Sequence, residues 1–178
     1  MAEINLLESH PESKRDYNAR EKEKSPEIVK IAKKFGEEFF DGKREFGYGG
    51  YRYDGRWINV IEKMKKYWKL EDNVSVLDVG CGKGFMLHDF KQAFPGCSVA
   101  GIDVSEYALL NSMPSVKSEL KLGSAESLPF NDNSFDLVIS INSIHNLPLG
   151  KCKKAIREIT RVSKKNSYIT LDAWRNES

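Results

Sequence analysis

The chain has 178 residues, of which 40% are hydrophobic and 30% charged, and its formal net charge is +2 at pH 7. This length suits a single domain that can bury a sizeable core. The nearly balanced charge gives no reason to expect a nucleic acid or an anionic membrane as a partner. No apolar run is long enough to cross a bilayer, and the first residues lack the pattern of a secretory signal.

The cysteine and histidine content argues against disulfides and metals. Cysteines at positions 81, 97 and 152 form neither an even disulfide set nor a metal-ligand spacing, and His10 and His88 have no companions at ligand spacing. We therefore expect a cytoplasmic protein with reduced cysteines and no bound metal. The oligomeric state stays open, and a homodimer is compatible with the sequence.

In chain order, a charged arm comes first and a helical region follows. Residues 1–27 carry dense mixed charge and few periodic apolar positions, which predicts a flexible, solvated arm. Ser25 and Pro26 are typical of a helix start. The helix they begin is predicted to bury one apolar face, formed by Ile28, Ile31, Ala32, Phe35 and Phe39. A second amphipathic helix is predicted from Trp57 to Trp68.

A loop rich in glycine and tyrosine separates these two helices. Residues 46–57 contain four glycines and three tyrosines, which is too much glycine for regular structure. Tyrosine combines an apolar wall with a polar tip, and flanking glycines allow movement. The loop is therefore predicted to be a lid over a binding site, with contacts from Tyr48, Tyr51, Arg52 and Tyr53. A purely structural loop is the alternative. Helices and loop together are assigned to residues 28–70.

Residues 71–178 alternate short β-branched segments with helical segments. Strands are predicted at 74–79, 98–103, 120–123, 135–141 and 168–173, and helices at 83–94, 105–112 and 149–163. Strands separated by helices indicate βαβ units and hence a mostly parallel sheet with right-handed crossovers. The predicted fold class is α/β, with a helical N-terminal extension.

A glycine-rich turn, Asp78-Val79-Gly80-Cys81-Gly82-Lys83-Gly84, joins the first predicted strand to its helix. Glycines let the backbone approach a ligand closely, and the helix N-terminus offers free N–H groups. Asp103 ends the next strand about twenty positions later, where the ribose of an adenosine cofactor needs a carboxylate acceptor. The turn and Asp103 together predict a nucleoside site.

The spacing of the glycines discriminates among nucleotide cofactors. A dinucleotide fingerprint would need glycine where the chain has Phe85, and the P-loop pattern that would employ Lys83 is absent. The glycines instead form G-x-G-x-G led by Asp78. A tight strand–helix connection with no ligand is the alternative interpretation.

The segment from Val76 to Gly84 resembles the first motif of class I S-adenosylmethionine-dependent methyltransferases of the small-molecule type. Asp103 resembles the ribose-binding acid of that family. Residues 123–130 resemble the segment that flanks the adenine, and residues 135–140 resemble the strand that ends beside the transferred methyl group. The resemblance implies a Rossmann-like, mostly parallel twisted sheet in the order 3-2-1-4-5, with helices on both faces.

The resemblance also implies S-adenosyl-L-methionine as the cofactor. The residues that it assigns to cofactor binding are Asp78, Gly80, Cys81, Gly82, Gly84, Asp103, Val104, Ser124, Ala125, Glu126 and Asn142. Two features depart from the family pattern. Ser124 stands where an Asp is usual, and the chain stops soon after the fifth strand, where members continue into a helix and two more strands. We therefore expect a fold that lacks the last strands of the family, either as a shortened version or because the C-terminal portion is missing from the sequence. In the second case strand five is left as an open edge.

The residues after strand four, 141–148, are expected to face the transferred methyl group, and they lack the [ND]-P-P-[YF] clamp of base-methylating enzymes. His145 is a candidate general base for a hydroxyl or amine acceptor; packing beside the cofactor is an equal alternative. The predicted function is methyl transfer to an oxygen or nitrogen atom of a small molecule. A cofactor-binding protein without catalysis and an aminopropyl transferase on the same fold are the alternatives.

Overall fold

The computed structural model describes residues 4–10 and 25–171. Helices α1 to α6 span Pro26–Ala32, Glu37–Phe40, Ile58–Trp68, Phe85–Ala93, Glu106–Leu110 and Leu149–Val162. Strands β1 to β5 span Ser75–Val79, Ser98–Asp103, Leu120–Leu122, Phe135–Ser140 and Ser163–Ile169. Two 3₁₀ turns cover Lys117–Glu119 and Ile144–Asn146. No helix within these ranges has the length and hydropathy that crossing a membrane requires.

The five strands form one parallel sheet in the order β3-β2-β1-β4-β5. This order confirms the predicted Rossmann-like arrangement. The direction of chain progression reverses between β1 and β4, and such a reversal opens a crevice at the carboxyl ends of the two strands. The glycine-rich turn after β1 and the segment after β4 therefore lie at the same edge of the sheet.

The alternation of side chains along the strands divides the core into two layers. In β4, Leu137 and Ile139 belong to the layer under α3 and α4, and Val138 belongs to the layer under α6. In β1, Val76 and Leu77 divide in the same way. Both faces of the central strands are buried, as the continuous apolar runs in the sequence indicate.

The first predicted helix is divided into two in the structure. Helix α1 ends at Ala32, Phe35 adopts a left-handed backbone with φ 49°, and α2 begins after Gly36. The prediction of one helix through Phe39 was wrong because the apolar spacing continues across a break in the backbone. The break brings the rings of Phe35 and Phe39 into edge contact, with centroids 5.0 Å apart.

The fifth strand begins earlier than predicted. It was expected at residues 168–173, but β5 spans Ser163–Ile169 and follows α6 without a loop. The sequence at its start is polar because β5 is an edge strand whose side chains are mostly solvated, and Tyr168 is its buried residue. Apolar periodicity therefore could not reveal it. Residues 172 and 173 lie outside the described part of the chain.

The described part of the N-terminal arm packs on the domain. Leu6 is only 5% exposed, and its backbone N–H donates to the hydroxyl of Tyr168 at 3.2 Å. Glu8 forms an exposed ion pair with Lys63. Residues 4–10 therefore differ from the solvated arm expected for residues 1–27, because Leu6 belongs to the hydrophobic core and Ile4 and Leu7 pack against it. Residues 11–24 lie outside the described ranges.

Candidate functional site

The glycine-rich turn places its backbone against the segment that follows β4. Gly80, Gly82 and Gly84 have φ values of 88°, 54° and 74°, which side chains other than glycine rarely adopt. A Cβ atom on Gly80 would lie 1.9 Å from the Oγ atom of Ser143. The turn is also tied to β2, because the backbone N–H of Gly80 donates to the carbonyl of Ile102 at 2.7 Å. Glycine at position 80 is therefore a requirement of close approach as well as of conformation.

Asp103, at the end of β2, braces this turn. Its Oδ2 accepts from the backbone N–H of Gly82 at 2.7 Å, and its Oδ1 accepts from the N–H of Ser105 at 2.8 Å. Burial raises the pKa of this carboxyl, which is only 9% exposed, and the backbone donors oppose that rise. Each oxygen keeps a further lone pair, so the group can still accept hydrogen bonds from a ligand.

Asp78, at the start of the turn, is the second buried carboxyl of the site. It is 4% exposed, and burial together with the charge of Asp103 raises its pKa to about 7. Near neutral pH this carboxyl is therefore divided between its charged and neutral forms. A cation placed beside it would favour the charged form.

A first cavity of about 140 Å³ lies in the crevice between β1 and β4. Its base is formed by the glycine-rich turn and by Ile102, Asp103 and Val104 at the end of β2. Residues 123–125 and residues 141–147, His145 excepted, supply its sides. Aromatic side chains cover it, and we call these five residues the aromatic roof: Phe35, Phe39, Phe40, Tyr48 and Tyr51. The cavity is therefore mainly apolar, with one carboxylate at its base.

A second cavity of about 80 Å³ adjoins the first. The two share the residues of a common waist, which are Tyr48, Tyr51, Gly80, Ile141 and Asn142. The second cavity adds His10, Arg56, Trp57, Asp78, Cys81 and Met86. It thus combines a guanidinium and a carboxyl group, and the guanidinium of Arg56 also pairs with Asp54 at 2.7 Å. Its polarity is suited to a ligand that carries both signs of charge.

The structure brings most of the predicted cofactor residues to these two cavities. All of them line one cavity or both, except Gly84 and Glu126. A Cβ atom on Gly84 would meet Val116 at 2.8 Å, so this glycine allows the start of α4 to pack closely. The carboxylate of Glu126 instead pairs with Lys151 at 3.1 Å. A cofactor contact for Gly84 and Glu126 was inferred from motif position and stays a prediction.

The predicted lid residues divide into two groups. Tyr48 and Tyr51 border both cavities, whereas Arg52 and Tyr53 border neither. The hydroxyl of Tyr53 donates to Asp89 of α4 at 2.6 Å, which holds it on the outside of the domain. The sequence analysis missed Arg56 and the three phenylalanines of the aromatic roof. Phe35 and Phe39 were interpreted as part of one face of a helix, and the aromatic density at positions 35–40 was the signal that could have revealed the roof.

His145 lies in the 3₁₀ turn after β4, half-buried, and does not line either cavity. Its neighbours Ile144 and Asn146 do line the first cavity. In a 3₁₀ turn, successive side chains point in directions about 120° apart. The side chain of His145 therefore does not follow that of Ile144 into the cavity. The catalytic role of His145 stays a prediction. Within the described residues, no three His, Cys, Asp or Glu side chains are grouped as a metal site would require.

Comparison with known proteins identifies a family. Residues 77–171, more than half of the chain, match the family described as "Methyltransferase domain". Among curated relatives, a malonyl-[acyl-carrier protein] O-methyltransferase from Buchnera aphidicola is 32% identical over 114 residues, covering 62% of this chain and 42% of the relative. A tRNA (carboxymethyluridine(34)-5-O)-methyltransferase from Arabidopsis thaliana is 32% identical over 123 residues, covering 68% of this chain and 28% of the relative.

Solved structures agree with this assignment. The PH0226 protein from Pyrococcus horikoshii superposes with a TM-score of 0.57 at 25% identity, covering 83% of this chain and 67% of that one. The chain spans less than half the length of the curated relatives that it matches. The strand order and the family match together mean that the chain belongs to the class I S-adenosylmethionine-dependent methyltransferases.

Proposed function

We propose that this chain transfers the methyl group of S-adenosylmethionine to an oxygen or nitrogen atom of a small-molecule acceptor in the cytoplasm. The observation that carries the proposal is the pair of joined cavities, whose polar groups correspond to the two ends of this cofactor. Free thiols at Cys81, Cys97 and Cys152 support a reducing location.

The first cavity suits the nucleoside end. Asp103 has lone pairs left for the two ribose hydroxyls, and Val104 offers exposed apolar surface beside it for a flat base. Ser124 supplies a hydroxyl on the opposite side, where its Oγ already caps the backbone N–H of Glu126 at 3.2 Å. We assign adenosine to this cavity.

The second cavity suits the amino-acid end. The ammonium group would neutralise Asp78 and favour its charged form, and the carboxylate would meet the guanidinium of Arg56. Both charges of the ligand would then be compensated, one by the buried carboxyl of Asp78 and one by the partly exposed guanidinium of Arg56. This assignment adds Arg56 to the cofactor residues predicted from the sequence.

The reacting atoms belong at the waist between the cavities. When bound, S-adenosylmethionine supplies an electrophilic methyl group on a sulfonium. Tyr48 and Tyr51 border the waist, where aromatic rings exclude water and stabilise a cation. Asn142 borders the waist and Ser143 lines the first cavity beside it, and both can orient the acceptor by hydrogen bonds. Orientation contributes strongly to such a transfer because the sulfonium is already activated.

The acceptor itself stays open within the small-molecule class. The Buchnera relative is named as an O-methyltransferase, and a Botryococcus braunii relative, 27% identical over 164 residues, is named as a botryococcene C-methyltransferase. Relatives therefore differ in the atom that they methylate. A hydroxyl or amine acceptor must lose a proton, and His145 remains our candidate to accept it.

Calorimetric titration tests the cofactor assignment. We expect S-adenosylhomocysteine, the demethylated cofactor, to bind the wild-type chain and NAD not to bind. Asp103→Asn should weaken S-adenosylhomocysteine binding by about ten- to hundredfold, because a charged hydrogen bond is worth roughly 1.5–3 kcal/mol. Asp132→Asn, at an exposed carboxylate, is the matched control and should leave binding unchanged. Binding of NAD that is insensitive to Asp103→Asn would refute the proposal.

A further inference from the structure

Lys83 stands inside the glycine-rich turn, yet it does not line either cavity. Its side chain is only 9% exposed, and its Nζ donates to the Oδ2 of Asp41 at 2.6 Å and to the carbonyl of Tyr51 at 3.0 Å. Burial of an ammonium group is costly unless such partners are present. The lysine of the turn is therefore directed to the segment that carries the aromatic roof.

Asp41 is the corresponding group on that segment. Besides Lys83, it accepts hydrogen bonds from the hydroxyl of Tyr107 on α5 at 2.8 Å and from the backbone N–H of Tyr51 at 3.1 Å. Burial acts to raise the pKa of Asp41, but the donors Lys83 and Tyr107 outweigh it and lower that pKa. One carboxylate thus ties the roof segment to two separate parts of the domain.

Other contacts between the roof and the domain are single hydrogen bonds and ring contacts, which can separate without breaking a strand or helix. The carbonyl of Phe35 accepts from Ser105 at 2.5 Å, and Tyr51 stacks on Phe85 with centroids 4.7 Å apart. The roof segment, residues 35–51, begins with left-handed backbone at Phe35, and its last part contains positive φ at Gly49 and Gly50. Such positions, and glycine above all, permit rotation of a segment about its ends.

The small volume beneath the roof favours such a movement. The two cavities measure about 140 and 80 Å³, whereas sites for ligands of drug size hold about 300–1,000 Å³. Tyr48 and Tyr51 line both cavities, so a ligand that spans the two must pass beside these side chains. Movement of the roof away from the turn would separate Lys83 from Asp41.

We propose that the Lys83–Asp41 ion pair is a latch that holds the aromatic roof closed on the glycine-rich turn and sets how long the cofactor stays bound. Both are positioning residues, since neither lines a cavity. The latch joins the roof to the glycine-rich turn, which also borders the ligand site. Closure of the roof would therefore restrict the movement of the turn as well. The inference rests on the proposed function for the identity of the ligand.

Stopped-flow fluorescence with S-adenosylhomocysteine as the probe tests the latch. Trp57 borders the second cavity and can report on binding. Lys83→Met and Asp41→Asn should each raise the dissociation rate by about tenfold, since loss of one partner of a buried charge pair acts mainly on dissociation. The double variant should be no faster than the faster single variant, because both substitutions break the same ion pair. Lys63→Met, which breaks the exposed pair with Glu8, is the matched control and should change nothing.

Hydrogen exchange of the ligand-free chain gives a readout that does not depend on the ligand. In the latch variants, backbone amides of residues 35–51 should exchange faster than in wild type, and those of α3 should exchange at an unchanged rate. Unaltered exchange in residues 35–51 would overturn the latch. Faster exchange there with an unaltered dissociation rate would overturn its coupling to the ligand. If the wild-type chain does not bind S-adenosylhomocysteine, the proposed function fails, and the exchange data still decide whether the pair holds the roof.

Discussion

Replacing Gly80 by alanine tests the closest backbone approach in the site. The new Cβ would lie 1.9 Å from the Oγ and 2.4 Å from the Cβ of Ser143, at a backbone φ of 88°. The positive φ costs an L-residue about 1–2 kcal/mol, and overpacking a tight contact costs about 1–3 kcal/mol more. We expect Gly80→Ala to lower the free energy of unfolding by about 2–5 kcal/mol, measured by urea denaturation with an unchanged m-value.

A second substitution separates the two costs. Ser143→Gly removes the atoms that the alanine would meet, so the double variant should recover the steric part and keep the cost of the positive φ. Gly150→Ala is the control, because its Cβ would meet nothing within 4 Å and its φ is not positive. A Gly80→Ala chain as stable as wild type would refute the reasoning, and so would a double variant as unstable as Gly80→Ala alone.

Two further predictions concern the second cavity. Arg56→Gln should weaken the binding of S-adenosylhomocysteine, measured by calorimetry, about tenfold. Binding of 5′-methylthioadenosine, which lacks the amino-acid end, should be unaffected. Equal losses of affinity for both ligands would contradict the assignment of Arg56. The pKa of Asp78 is raised to about 7 in the folded chain, so this carboxyl keeps a proton at pH values where the unfolded chain has lost it. The group therefore lowers the free energy of unfolding progressively as pH rises from about 4 to 7. Urea denaturation should therefore show the free energy of unfolding of Asp78→Asn rising relative to that of wild type as pH rises through this interval. A difference between the two chains that does not change with pH would refute the raised pKa.

Much of the fold could be predicted from the sequence because its signals are local. The order of strands and helices follows from short β-branched runs and helical spacing, and β2 spans Ser98–Asp103 as predicted. The errors have physical causes. Strand β5 is polar because its position at the sheet edge leaves it solvated, and the helix before the loop divides because the backbone reverses hand at Phe35. Neither edge position nor a single dihedral angle is encoded in apolar periodicity.

The candidate site was predictable where it depends on the turn and less so where it depends on packing. Asp78, Gly80 and Asp103 were recognised from motif spacing, and all three border the cavities. Arg52 and Tyr53 were assigned to the lid by proximity to glycine, but Tyr53 is bound to Asp89 outside the site. The direction of a loop side chain depends on its neighbours in space, so Tyr51 lines the cavities and Tyr53, two positions later, does not.

By itself the sequence determined the strand–turn–helix at which we propose the cofactor binds and the acid that ends the next strand. Both depend on spacing within one βαβ unit, and glycine at a sharp turn has few alternatives. Only the tertiary structure decided what closes the site. Lys83 meets Asp41, 42 positions earlier in the chain, and Arg56 reaches the cavity that Asp78 borders. Such contacts arise from how the N-terminal helices pack across the sheet edge, and no short-range pattern specifies that packing.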